Sequence, residues 1–103
     1  MQTMFENKNG TLIVHLKGDI DHHTSAAIRQ AVDTQIGKKL PEILMLDFGD
    51  VKFMDSSGVG LIMGRYKLAR AYNCRVHVCR VPEYAERIMN MSGLGKLITF
   101  EKD

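Results

Sequence analysis

Apolar and polar residues alternate in two segments near the start of the chain. From Thr11 to Lys17, every second residue is apolar, which is the period of a β-strand with one buried face. Met1 to Glu6 alternates in the same way over a shorter stretch, and Asn9-Gly10 between the two segments is a hairpin turn signal. The pattern therefore predicts an N-terminal antiparallel hairpin.

Three later segments carry apolar residues at helical spacing. The first follows the polar loop Gly18–Thr24 and runs to about Ile36, with Gly37 as its stop. The second runs from about Ser57 to Tyr72, and Pro82 suits the first turn of the third. The apolar stripes are Ile28, Ala31, Val32 and Ile36 in the first helix, Val59, Ile62, Tyr66 and Ala69 in the second, and Tyr84 or Ala85, Ile88 and Met91 in the third.

Short apolar strands separate these helices, at Glu42 to Phe48, Arg75 to Cys79 and Leu97 to Phe100. Ile43 to Leu46 is apolar at every position, which predicts a central strand that is buried on both faces. The order ββαβαβαβ is typical of an α/β domain whose later strands are parallel. With 103 residues, we expect one domain that spans residues 1–103.

Composition narrows the classes of function. The apolar fraction of 45% and the net charge of +2 are ordinary for a soluble globular protein, and dispersed basic residues predict no nucleic-acid surface. No apolar run reaches the roughly 18 residues that cross a membrane. Cys74 and Cys79 are five positions apart in a predicted strand, so they should point to opposite faces as thiols. A cytoplasmic location is expected from these thiols.

The segment Met54-Asp55-Ser56-Ser57-Gly58-Val59-Gly60 lies where a strand leads into the second helix. Asp55, Ser56 and Ser57 are all common helix N-caps, and a cap is one interpretation. A hydroxyl at this position also lies beside free backbone amides and the positive end of the helix dipole, which suits a phosphate group. Both interpretations remain open, and they are compatible.

Three glycines follow, at Gly58, Gly60 and Gly64. Each costs about 1 kcal/mol relative to alanine inside a helix. That cost predicts that another molecule approaches the start of this helix closely.

Other kinds of site fit the sequence poorly. The segment around Ser56 is not a G-x-S-x-G nucleophile elbow, and Gly60 to Gly64 lacks the spacing of a phosphate-binding P-loop. The sequence indicates no third or fourth metal ligand to accompany His22-His23, so we expect no metal site there. Asp19 and Asp21 either contact a basic partner or serve only as turn and cap groups.

The motifs together resemble the anti-sigma-factor antagonists of the STAS domain family. The resemblance spans nearly the whole chain and rests on Gly18–Thr24, Phe53–Gly60, Gly64–Lys67 and Met91–Leu94. The Asp-His-His-Thr loop is most similar to the sporulation branch. The family fold implied is a small mixed sheet with helices packed mainly on one face.

The resemblance also implies a function without catalysis, cofactor or metal. The unphosphorylated protein would bind an anti-sigma factor that is also a serine kinase, and so release the sporulation sigma factor. The kinase would phosphorylate the first serine of the pair, Ser56, and a PP2C-type phosphatase would reverse this. Expected partner-binding residues are Asp19, Asp21, His22, His23, Thr24, Asp55, Ser57, Gly58, Val59, Gly60, Met91, Ser92, Gly93 and Leu94.

We expect the loop Asp19–Thr24, the start of the second helix and Ser92–Leu94 to form one contact surface. Other classes of protein remain open. The chain could antagonise a stress-response anti-sigma factor, or serve as a STAS regulatory module without phosphorylation. It could also be a small-molecule or lipid binder of the same fold.

Overall fold

A computed structural model describes residues 2–102 as one five-stranded sheet with three α-helices and one 3₁₀ turn. This is a single small α/β domain, as predicted. The elements in chain order are β1 (Gln2–Lys8), β2 (Thr11–Ile20), α1 (Ser25–Lys39), β3 (Ile43–Met54), α2 (Ser57–Ala71), β4 (Arg75–Cys79), α3 (Glu83–Met91), the 3₁₀ turn (Leu94–Lys96) and β5 (Thr99–Glu101).

The strands lie side by side in chain order, from β1 to β5. β1 and β2 are antiparallel, and both Asn9 and Gly10 have positive φ, as a two-residue hairpin of this kind requires. β2, β3, β4 and β5 are parallel, as predicted. The three crossovers all step in the same direction, and right-handed crossovers of that kind put their helices on one face of the sheet.

The core fills the space between that face and the helices. Leu44 and Leu46 on β3 are buried, but Ile43 and Met45, which point to the other face of the sheet, are only half-buried. The prediction that this strand is buried on both faces was therefore wrong. The largest fully buried side chains are Phe48, Leu12, Leu16, Ile20, Ile36, Leu44, Ile62, Met89, Leu94, Val14, Val32 and Val78.

A charged cluster lies on the open face of the sheet, centred on Asp47 of β3. Arg80 donates to both carboxylate oxygens, from Nε at 2.9 Å and from Nη2 at 2.7 Å. The Gly49 amide donates to Oδ1, and Nδ1 of His15 lies 2.7 Å from Oδ2. Burial raises the pKa of Asp47, but these hydrogen bonds outweigh it and lower the pKa to about 2.

β3 is longer than predicted, because it continues from Phe48 to Met54 alongside the end of β2. The register shifts between His15 and Lys17 and again between Gly18 and Asp19. Gly18 has a φ of +102°, a conformation that glycine adopts readily at such a bulge. The bulges break the period of two, so the sequence pattern ends before the strand does.

Two helix ends also differ from the predictions. α1 passes through Gly37 and ends at Leu40, which has a φ of +46° and donates its amide to the Ile36 carbonyl. Pro41 follows, and the residue before a proline disfavours the helical conformation. Met91, predicted in the buried stripe of α3, is 82% exposed, whereas Met89 is buried in its place.

The last strand and the first cysteine are displaced from their predicted places. β5 spans Thr99–Glu101, two residues later than the predicted start. Cys74 is buried and precedes β4, whereas Cys79 lies within it. The two cysteines form no disulfide with each other.

Candidate functional site

The carboxyl ends of β2 and β3 lie next to each other. Ile20 and Met54 are paired in the sheet, and the amide of Asp55 donates to the Ile20 carbonyl at 3.1 Å. The loop after β2 and the segment that leads into α2 are therefore neighbours. The tertiary structure thus brings together the two motifs that the sequence separates by about thirty residues.

The loop after β2 is held by its own side chains. Oδ1 of Asp21 accepts hydrogen bonds from the amides of His23 and Thr24, at 2.9 and 3.1 Å. The Thr24 hydroxyl accepts from the Asp21 amide and donates to the Asp19 carbonyl, each at 3.0 Å. Burial raises the pKa of Asp21, but the bonds from Thr24 and His23 outweigh it and lower the pKa. Asp21 is therefore a turn former that remains ionised.

The first turn of α2 is capped by Asp55. Its Oδ1 accepts a hydrogen bond from the Ser57 amide at 2.8 Å. Ser56 occupies the N-cap position, but its side chain makes no cap hydrogen bond. Ser56 is exposed, and its hydroxyl has no hydrogen-bond partner within residues 2–102. Of the three candidate caps in the sequence, the fold uses the carboxylate and leaves the Ser56 hydroxyl available.

The glycines of α2 have two different structural roles. Gly58 is buried, and a Cβ at this position would overlap Sδ and Cγ of Met54, each 2.5 Å away. Gly58 therefore has a role in internal packing, whereas its expected contact with a partner stays a prediction. At Gly60 and Gly64, a Cβ would meet no atom within 4 Å.

A groove of about 400 Å³ lies between α1 and α2. Its lining combines hydroxyls, two arginines and the two open glycines. The lining residues are Ser25, Ala26, Arg29, Ser57, Gly60, Leu61, Gly64 and Arg65. The groove therefore begins beside Ser56 and runs along the two helices.

Comparisons with known proteins agree with this geometry. The STAS domain family matches residues 2–103, which is nearly the whole chain. The chain belongs to the STAS domain family. An anti-sigma F factor antagonist of Paenibacillus polymyxa is 41% identical over 98 residues, which are 95% of this chain and 84% of that protein. Another, from Lysinibacillus sphaericus, is 31% identical over 82% of this chain and 73% of its own length. These relatives place this STAS domain among the anti-sigma factor antagonists.

Solved structures support the same assignment. The anti-sigma factor antagonist SpoIIAA in its unphosphorylated form superimposes on this STAS domain with a TM-score of 0.83 and 29% identity, covering 97% of this chain and 88% of that one. The phosphorylated form of the Bacillus cell fate determinant SpoIIAA gives a TM-score of 0.75 at the same identity, covering 97% and 91%. The predicted fold, a small sheet with helices mainly on one face, is thus the fold of SpoIIAA.

The segment Met91–Leu94 of this STAS domain covers the end of α3 and the start of the 3₁₀ turn. Leu94 is fully buried in the core and offers no side chain to a partner. Met91 and Ser92 are exposed, so their expected contact with a partner stays a prediction.

Arg65 is a residue of the site that the sequence pattern did not indicate. It is only 5% exposed, although its side chain is charged. Its Nε lies 2.6 Å from Oδ1 of Asp33, and Nη1 donates to the Leu61 carbonyl at 3.3 Å. Burial lowers the pKa of Arg65, and Asp33 opposes this effect. The available signal was its spacing, four residues after Leu61 and four before Ala69, which are both buried.

The structure adds two observations on other kinds of site. Among residues 2–102, no group of three or more His, Cys, Asp or Glu side chains could hold a metal ion. No helix in the described part of the chain is long and apolar enough to span a membrane.

Proposed function

We propose that this anti-sigma factor antagonist works as a phosphorylation switch. In its unphosphorylated form it binds an anti-sigma factor that is also a serine kinase, and so releases the sporulation sigma factor. Phosphorylation of Ser56 by that kinase ends the binding, and a PP2C-type phosphatase restores it. Both reactions take place in the cytoplasm.

The observation that carries the proposal is the state of the Ser56 hydroxyl. It is exposed at the start of α2, and no hydrogen bond within the described residues depends on it. Because Asp55 provides the cap, phosphorylation of Ser56 removes no interaction that holds the helix. The group can therefore be modified while the fold stays intact.

Charge explains why such a modification would end binding. A phosphoserine adds a charge of about −1.5 to −2, which the positive end of the α2 dipole tolerates. Asp55, however, directly precedes this position, and Asp21 follows Ile20, whose carbonyl accepts from the Asp55 amide. A partner surface that fits the neutral hydroxyl would then meet a phosphate next to a carboxylate. The switch thus acts on the contact with the partner.

Similar proteins give independent support to the proposal. SpoIIAA is described in both an unphosphorylated and a phosphorylated form, and this chain superimposes on both. The two antagonists above 30% identity are anti-sigma F factor antagonists, whereas an anti-sigma-B factor antagonist of Listeria monocytogenes is 24% identical. The identities favour a sporulation-type partner over a stress-response one.

A kinase assay tests the proposal directly. The purified chain is incubated with Mg-ATP and the purified anti-sigma factor of the organism that encodes it, and the phosphosite is mapped by mass spectrometry. We expect a single phosphate on Ser56, which Ser56→Ala abolishes. Ser57→Ala is the matched control and should still be phosphorylated at Ser56. A phosphate on Ser57 alone, or none at all, would contradict the proposal.

A further inference from the structure

We propose that the groove between α1 and α2 binds a carboxylate-bearing segment of the anti-sigma factor, with Arg29 as its principal contact. The inference rests on the proposed function, because it takes the anti-sigma factor as the partner. The contact surface then extends beyond the residues around Ser56 to the side of α1 that faces α2. The partner contributes an Asp or Glu carboxylate to this part of the contact.

The charges that line the groove do not balance. Arg29 and Arg65 are close enough that the charge of Arg29 lowers the pKa of Arg65. Asp33 is the acidic partner of Arg65, at 2.6 Å. Arg29 is exposed and forms no ion pair or hydrogen bond with any residue that the structure describes. Arg29 and Arg65 thus carry two positive charges, whereas Asp33 supplies only one negative charge. The remaining positive charge can bind an anionic group of a partner protein.

The buried guanidinium also has unused donors. A guanidinium group carries five N–H donors. One N–H on Nη1 of Arg65 donates to Leu61, whereas Nε lies 2.6 Å from Oδ1 of Asp33 but is not aligned to donate a hydrogen bond to it. Four donors therefore lack a hydrogen-bond acceptor among residues 2–102, and they belong to a side chain that lines the groove and is only 5% exposed. A planar carboxylate is the acceptor that matches such donors.

The floor of the groove is open although the fold does not require it to be. Gly60 and Gly64 are four residues apart, so they lie on the same face of α2. A methyl group at either position would meet nothing within 4 Å, so alanine would fit and would favour the helix by about 0.5–1 kcal/mol. Glycines that internal packing does not need are consistent with a partner segment whose backbone approaches α2 closely.

The position of the groove connects it to the proposed switch. Ser57 lines it on α2, directly after Ser56, and Ser25 lines it on α1, directly after Thr24. A segment seated in the groove would therefore continue the surface formed by the loop after β2 and the start of α2. A macromolecular partner is favoured because the groove is open along both helices.

Matched charge reversals on α1 provide the first test. Arg29→Glu and Lys38→Glu change the net charge equally, but Lys38 is exposed near the other end of the helix and does not line the groove. Affinity for the purified anti-sigma factor is measured by calorimetry. We expect Arg29→Glu to weaken binding by about tenfold or more and Lys38→Glu by less than about threefold. Equal effects of the two variants would overturn the inference.

A second pair of variants tests the close approach of the partner to Gly60. Gly60→Ala should weaken binding by several-fold, whereas Gly37→Ala, an equally open glycine at the far end of α1, should leave it unchanged. Both should fold, since neither methyl group meets a neighbouring atom. Unchanged binding of Gly60→Ala would contradict the close approach to α2.

A zero-length cross-link identifies the group in the groove. In Arg29→Lys, a carbodiimide can join the introduced amine to a partner carboxylate through an amide bond, with the loss of water. We expect a cross-linked peptide that contains an Asp or Glu of the anti-sigma factor, and none with Lys38→Arg as the control. An Arg29→Lys chain that binds the anti-sigma factor, but yields no such cross-link, would refute the groove alone. A wild-type chain that does not bind would refute the proposed function.

Discussion

Gly58 packs directly against the side chain of Met54, the last residue of β3. A methyl group at Gly58 would lie 2.5 Å from both Sδ and Cγ of Met54. This contact lets the first turn of α2 sit tightly on the end of the sheet beside Ser56. The neighbouring Gly60, only two residues along the helix, has no such constraint.

We therefore predict opposite effects of the same substitution at these two glycines. Gly58→Ala should lower the free energy of unfolding by about 1–3 kcal/mol, because Met54 must move out of its packed position. Gly60→Ala should raise it by about 0.5–1 kcal/mol, because alanine favours the helix. Urea unfolding followed by circular dichroism measures both. A loss of stability in Gly60→Ala would contradict the open groove.

A second prediction separates the cap from the hydroxyl. Asp55→Ala should cost about 1 kcal/mol of stability, because the Ser57 amide loses its acceptor. Ser56→Ala should change stability by less than about 0.5 kcal/mol, since its side chain makes no cap hydrogen bond. Thermal unfolding of the two variants beside the wild type measures the difference. If Ser56→Ala were the more damaging change, the assignment of the cap to Asp55 would be wrong.

The third prediction concerns the effect of charge at Ser56 on binding. Ser56→Asp should weaken binding to the anti-sigma factor by about tenfold or more, because it adds a negative charge directly after Asp55 at the proposed contact. Ser56→Ala should bind like the wild type. Calorimetric titration at two salt concentrations measures the affinities, and the loss in Ser56→Asp should shrink at high salt. Equal affinities for both variants would argue against an electrostatic switch.

The fourth prediction is a pH dependence centred on Asp47. Its pKa is lowered to about 2 from an ordinary value of 3.8, so the ionised form stabilises the fold above the unfolded pKa. That contribution, about 2 kcal/mol, is lost as the pH falls from about 5 through 2. Asp47→Asn should therefore be less stable than the wild type at pH 7 by about this amount.

The difference between these two proteins should close as the pH approaches 2, which urea unfolding across a pH series can measure. The comparison cancels the contributions of Glu6 and Asp21, whose pKa values are also lowered and which both proteins retain. Between pH 5 and pH 2 His15 stays protonated, because this interval lies below its ordinary pKa of 6.5 and the hydrogen bond with Glu6 raises the pKa further. A constant difference between pH 7 and pH 2 would show that Asp47 acts by packing alone.

The spacing of apolar residues predicted most helices and strands, because apolar residues recur at a different interval in each of these two structures. The alternation of Leu12 and Val14 and the spacing of Ile28, Val32 and Ile36 correctly gave a strand and a helix stripe. The pattern failed where tertiary contacts override the period. β3 continues to Met54 beside a part of β2 where two register shifts interrupt the alternation. Arg65, which pairs with Asp33, is buried on α2 although only apolar residues were predicted on its buried face.

The sequence by itself determined the order of elements, the family and the chemical groups at the start of α2. Those features depend on short-range spacing and on motifs that occupy adjacent positions. Only the tertiary structure decided which of these groups act together. The pairing of Ile20 with Met54 brings the loop after β2 next to the segment that leads into α2, while the packing of the core buries Leu94. Gly58 is packed and Gly60 is open because of the angle at which α2 leaves the end of β3, and hydrophobic periodicity does not predict that angle.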